Sequence, residues 1–61
     1  MESPTPQEIV SERQRADLTQ SAAAALLYKT TRVWQMWEAG DRRMDPALWE
    51  LFQMKINRSV N

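Results

Sequence analysis

The 61-residue chain contains no cysteine and no histidine. Without cysteine no disulfide can staple it, and without either residue a structural zinc site of the usual kind is excluded. The same absences remove the thiol nucleophile and the imidazole base on which much side-chain catalysis depends. No apolar run is long enough for a membrane span, and residues 1–17 lack the charged-then-apolar pattern of a signal peptide. Net charge is missing too. Eight Lys and Arg balance eight Asp and Glu, and the pI near 6.1 is low for a nucleic-acid binder. The expectation is a cytoplasmic protein, not an enzyme, with no catalytic residue, cofactor, metal or membrane partner.

What is present suits helix packing. A chain of this length forms one small domain that buries only about 60% of its unfolded surface. Stability must then come from dense packing or oligomerisation, and three Trp and four Met serve both. The charges are unevenly spread. Residues 1–27 set Arg13 and Arg15 against Glu2, Glu8, Glu12 and Asp17, a net −2. Residues 28–61 set Lys29, Arg32, Arg42, Arg43, Lys55 and Arg58 against Glu38, Asp41, Asp45 and Glu50, a net +2.

In chain order, residues 1–4 read as a loose arm with nothing to bury. Thr5-Pro6-Gln7-Glu8 is a helix start, with a capping residue, a first-turn proline and a capping-box Glu. Helix 1 runs to about Ala16, with Ile9, Arg13 and Ala16 on one face. Thr19 caps helix 2, whose alanines 22–25 let a neighbour approach closely and whose bulk comes from Leu26 and Leu27. Tyr28-Lys29 turns the chain into helix 3, residues 30–39, which Gly40 stops. Trp34 and Trp37 share its inner face with Glu38 at the edge. Arg32, Gln35, Met36 and Ala39 lie opposite, flanked by Thr31 and Val33. After an Asp41–Met44 loop, Asp45-Pro46 opens helix 4, predicted to reach Lys55 or Ile56. Leu48, Leu51, Phe52 and Ile56 form its core stripe, Trp49 and Met54 fall off it, and residues 57–61 are a frayed tail.

Leu18-Thr19-Gln20, the small Ala24, the pair Leu26-Leu27 and the closing Trp37-Glu38-Ala39-Gly40 occur here without a gap. They continue into Asp41-Arg42-Arg43 and Pro46-Ala47. In these residues the chain resembles the Xre or lambda-repressor-like family of helix-turn-helix DNA-binding proteins. The resemblance implies an all-α, compact four-helix domain, shortened at its C-terminus where relatives often have a further helix. It implies a pairing of Arg13 with Glu38 as a structural clamp. The chain departs from the family at Glu12, where a large aliphatic residue is usual, and at Asp17 and Tyr28, where Gly is usual. If residue 28 is left-handed, its side chain costs about 1–2 kcal/mol.

In this fold type the second helix of the motif enters the major groove. Base contacts then fall to Thr31, Arg32, Gln35 and Met36, since Arg bonds guanine, Gln bonds adenine, and Met36 or Val33 can touch a thymine methyl. Gln20, Lys29, Thr30, Arg42 and Arg43 are the expected contacts to the DNA backbone, aided by the N-terminus of helix 2. One module of low charge binds weakly. A homodimer on an inverted-repeat operator is therefore expected, with Trp49, Phe52, Met54 and Ile56 at the interface. The overall expectation is a transcriptional repressor acting on double-stranded promoter DNA in a prokaryote or phage, similar to the autorepressors of mobile elements, including those associated with anti-CRISPR genes. The competing reading is an interaction module or antitoxin that binds a partner protein, which the neutral charge favours and the groove-facing Arg32, Gln35, Arg42 and Arg43 oppose.

Overall fold

Three threonines and an aspartate start four helices. Thr5, Thr19 and Thr30 each adopt an extended backbone, and each hydroxyl accepts the N–H three residues on, from Glu8, Ala22 and Val33. Asp45 accepts from the Ala47 N–H at 2.8 Å. At the first of these starts the Glu8 carboxylate returns a bond from the Thr5 N–H, closing the capping box. The resulting elements, in a computed structural model that describes residues 2–58, are α1 (Pro6–Arg15), α2 (Gln20–Leu26), α3 (Thr31–Ala39) and α4 (Pro46–Arg58). No strand occurs among the described residues, and the protein is an all-α domain of four helices. No helix among those residues is long and apolar enough to cross a membrane.

The first three helices end in the same way. Asp17, Tyr28 and Gly40 all have positive φ, at 59°, 58° and 84°. Each left-handed residue turns two amides back onto the last helical carbonyls. Leu18 and Asp17 bond Arg13 and Gln14, Lys29 and Tyr28 bond Ala24 and Ala25, and Asp41 and Gly40 bond Met36 and Trp37. This double bond pattern is the usual way a helix satisfies carbonyls that have no partner of their own. Only the third position holds glycine, the residue without a left-handed penalty. At the second, Tyr28 takes the strained left-handed conformation.

The helices close over a core of Ile9, Ala23, Ala24, Leu27, Trp34, Trp37, Met44, Phe52 and Ile56. Ala23 and Ala24 let α2 lie close against α3, the pair of helices most extensively in contact. Trp34 sits at the centre, fully buried, with Trp37 edge-on at 5.5 Å and Phe52 tilted at 5.0 Å between ring centroids. Trp49 then stacks on the outer side of Phe52 at 6.0 Å.

Several expectations change in detail. Met44 belongs to the core although it lies in the loop before α4: it is fully buried in one cluster with Ile9 and Trp37. Leu51, assigned to the core stripe, is instead at the surface, while Phe52 and Ile56 fill the interior. Residues 57 and 58 continue α4, since buried Ile56 anchors its final turn; the rest of the expected frayed tail, residues 59–61, lies outside the described residues, as does Met1 of the arm. Ser3 and Pro4 of that arm are half-buried beside an open hollow of about 850 Å³ at Pro6 and Met44.

The strained turn gives the first prediction. Tyr28→Gly removes the left-handed penalty but adds unfolded-state freedom, so the net gain is up to about 1 kcal/mol. For a domain of this size that raises the melting temperature by roughly 4–8 °C. Tyr28→Ala keeps the strain and gains nothing. Thermal unfolding of the two variants beside the wild type distinguishes strain from the loss of the tyrosine ring.

Candidate nucleic-acid interface

The site begins with one carboxylate. Glu38 stands at the last turn of α3, against the face that carries Trp34 and Trp37, and its side chain is 9% exposed. An unpaired charge at such a place is costly. Four N–H···O contacts from three residues meet it. Arg13 of α1 donates from Nε to Oε2 at 2.5 Å and from Nη2 to Oε1 at 3.3 Å. The Trp34 indole, one turn earlier on the same helix, donates to Oε2 at 2.6 Å, and Gln20 of α2 donates to Oε1 at 2.9 Å. Arg13 also donates from Nη1 to the Leu18 carbonyl at 3.0 Å, tying the turn between α1 and α2 to the same point. The pair of Arg13 and Glu38 is therefore present, as part of a network joining three helices. Among the described residues no buried side-chain donor or acceptor is left without a partner.

Burial pushes the Glu38 carboxyl up, but the hydrogen bonds from Arg13, Trp34 and Gln20, with the Arg13 charge, outweigh it and hold the group below its ordinary value. Nothing in this arrangement suits Glu38 to proton transfer. Its donors are all satisfied by an ionised acceptor, which makes it a fastener.

Gln20 carries the network outward. Its Oε1 accepts from the Gln35 side-chain amide at 3.4 Å. The start of α2 and the middle of the outer face of α3 thus lie side by side on one surface. Around this point Arg32, Gln35 and Ala39 are exposed on α3, and Thr31, Val33 and Met36 are half-buried along its flanks. Lys29 and Thr30 are exposed at the entrance of α3, and Arg42 and Arg43 are exposed beyond its end. None of Lys29, Arg32, Arg42 and Arg43 belongs to the two ion pairs found among the described residues, Arg13–Glu38 and Glu12–Arg15.

Of the residues expected at bases and backbone, Gln20 and Gln35 are brought into contact, Lys29 and Thr30 precede α3, and Arg42 and Arg43 follow it beside the hollow at Pro6 and Met44. Two differ in role from the expectation. Gln20 is half-buried, and one of its two amide hydrogens is committed to Glu38. It positions Gln35 more than it offers itself. Met36 is half-buried, so less of it reaches the surface than of Arg32 or Gln35.

The expected interface residues divide differently. Phe52 and Ile56 lie in the core, sealed by α1 to α3, and have no surface to give a partner. Trp49 is half-buried on Phe52. Met54 alone of the four is openly exposed, at 55%. Phe52 and Ile56 serve the core stripe, to which they were also assigned, and α4 leaves Leu51 and Met54 outward.

The Trp34 and Gln20 bonds to Glu38 were not expected from the sequence. The i,i+4 spacing of Trp34 and Glu38 was the available signal for the first. The second joins separate helices and has no local signature.

No family model matches the chain. Over 49 residues, 80% of its length, it is 35% identical to the Type II methyltransferase M.MspI of Moraxella sp. The chain spans only 12% of that protein.

The network supplies a stability prediction. Removing one partner of a largely buried ion pair costs about 3–5 kcal/mol, so Glu38→Ala should strongly lower the denaturant midpoint at neutral pH. The folded pKa of Glu38 lies below its unfolded value of about 4.3. Its contribution is then complete above that range and is lost as pH falls through the folded value. Urea unfolding from neutral to acid pH should show Glu38→Gln less stable than wild type at neutral pH, with the difference shrinking in acid. An undiminished gap at low pH would mean that ionisation of Glu38 is not what stabilises the fold.

Proposed function

We propose that the chain is a sequence-specific DNA-binding transcriptional regulator of the helix-turn-helix type, with α3 as the reading helix in the major groove and α2 crossing above it. The observation that carries this reading is the single polar surface formed by Gln20, Arg32 and Gln35, fixed from behind by Glu38. Arg32 and Gln35 are the side-chain types that bond guanine and adenine edges, and Thr31 and Met36 border them. Lys29 and Thr30 before α3, and Arg42 and Arg43 after it, are exposed side chains that can take phosphates. The four cations in this region act locally, so a zero net charge for the chain does not oppose contact with DNA.

A single helix touches few base pairs, and this supports a homodimer on an inverted repeat, acting as a repressor. The likeness to part of a methyltransferase extends to a minor fraction of that enzyme. It supports a small module shared in kind with a larger protein, and methyl transfer is not proposed for this chain. An interaction module for a partner protein is the second reading, favoured by the exposed Tyr28, Leu51 and Met54.

Gel shifts on the duplex upstream of its own gene, with a scrambled duplex as control, test the proposal. Arg32→Ala should weaken binding to the preferred site by about 1–3 kcal/mol and relax choice at one base position. Lys29→Ala and Arg42→Ala should weaken binding to every duplex and reduce the salt dependence. Equal affinity of wild type and Arg32→Ala for the preferred site would remove α3 as the reading helix. Absence of any DNA binding would favour the protein-partner reading.

A further inference from the structure

The exposed large hydrophobic residues among the described ones are Tyr28, Leu51 and Met54, and all three lie on or beside one face of α4. Ala47, Leu51 and Met54 follow one another at spacings of four and three, the repeat of a helix seam. Glu50 flanks this stripe on one side and Lys55 on the other. Lys55 is held in place before any partner arrives: its ammonium donates to the Leu26 carbonyl and lies 4.6 Å from the centre of the Tyr28 ring. Tyr28, 86% exposed, thereby extends the apolar stripe past Lys55.

We infer that this face pairs with the same face of a second copy, the two α4 helices running parallel about a two-fold axis. The charges select the occupant and the direction. In a parallel pair a residue before the seam meets the residue five positions on in the other helix, so Glu50 of each copy faces Lys55 of its partner, twice over. In an antiparallel pair the Glu50 flanks lie together and the Lys55 flanks lie together, which is unfavourable. The parallel arrangement places Leu51 on Leu51 and Met54 on Met54 along the axis. It replaces Phe52 and Ile56, which are spent on the core, as the means of dimerisation, and it rests on the dimeric part of the reading above.

The contact is small. The 13 residues of α4 span about 20 Å, and one such face covers less than the roughly 800 Å² per partner of a standard stable interface. Association of the free protein is therefore weak, and DNA carrying two half-sites would complete the dimer.

Because the chain has no cysteine, single cysteines report the geometry without DNA. Ala47→Cys and Met54→Cys, both at exposed positions, should each form disulfide-linked dimers under mild oxidation. Each should cross-link at least about tenfold faster than Ser21→Cys, an exposed position away from α4, because the seam raises the local thiol concentration. Cross-linking of both seam positions supports the parallel pair, since no antiparallel register brings positions 47 and 54 each onto their own copy. Cross-linking of only one, or of neither above the Ser21→Cys rate, overturns it.

A second measurement uses charge. Glu50→Lys and Lys55→Glu should each sediment as monomers at concentrations where wild type dimerises, and their equimolar mixture should recover a dimer with opposite charges facing on both flanks. Lys55→Glu gives up the bond to Leu26, so its helical content is checked first by circular dichroism; the cysteine result does not depend on it. Failure of the mixture to dimerise also overturns the arrangement. Neither experiment contains DNA, so either failure leaves the assignment of α3 as the reading helix standing or falling by its own test.

Discussion

A buried-edge carboxylate with three donor residues is the constraint on which the rest of this small domain depends. Glu38 draws Arg13 from α1, Gln20 from α2 and the indole of Trp34 from its own helix onto two oxygen atoms. Hydrophobic packing of Trp34, Trp37 and Phe52 brings the helices together, but apolar contact is not directional. The hydrogen bonds to Glu38 are directional, and they fix how α3 is rotated and where α2 begins relative to it. That is the geometry an outward-facing row of Arg32 and Gln35 needs. Networks of this kind are worth having only when every member is satisfied, and here each donor has its acceptor.

Much of this was legible in the sequence, for local reasons. Thr and Asp at helix starts act through bonds to residues two or three positions on, so the caps at Thr5, Thr19 and Asp45 could be placed; Thr30, expected as the first residue of helix 3, is its cap. The inner face of α3 followed from the spacing of its two tryptophans. The pair of Arg13 and Glu38, 25 residues apart, was anticipated through the resemblance to a family and could not have been found by spacing.

The misses are non-local. Whether Leu51 or Phe52 faces inward is decided by how α4 packs on the other helices, and Met44 in the loop before it is drawn into the same core. A helical pattern containing Leu48, Leu51, Phe52 and Ile56 is compatible with either rotation. Of the four expected interface residues, Phe52 and Ile56 are taken up by the core, whereas Trp49 is half-buried and Met54 is exposed. The contact of Lys55 with Leu26 and Tyr28 joins the end of the chain to the turn after α2, and no local signal marks it. The turn itself shows the opposite case: the left-handed backbone at Tyr28 was weighed as a strained possibility, and the paired bonds from Tyr28 and Lys29 to the end of α2 hold it there.

The central claim is that the domain presents α3 as a rigid reader of duplex sequence. The most direct measurement is selection of bound duplexes from a randomised pool by the wild-type protein, followed by sequencing. The account predicts enrichment of an inverted repeat whose half-sites lie about one helical turn apart, roughly 10 base pairs centre to centre, or a multiple of it. Recovered duplexes with no common sequence, at the affinity of unselected DNA, would contradict it.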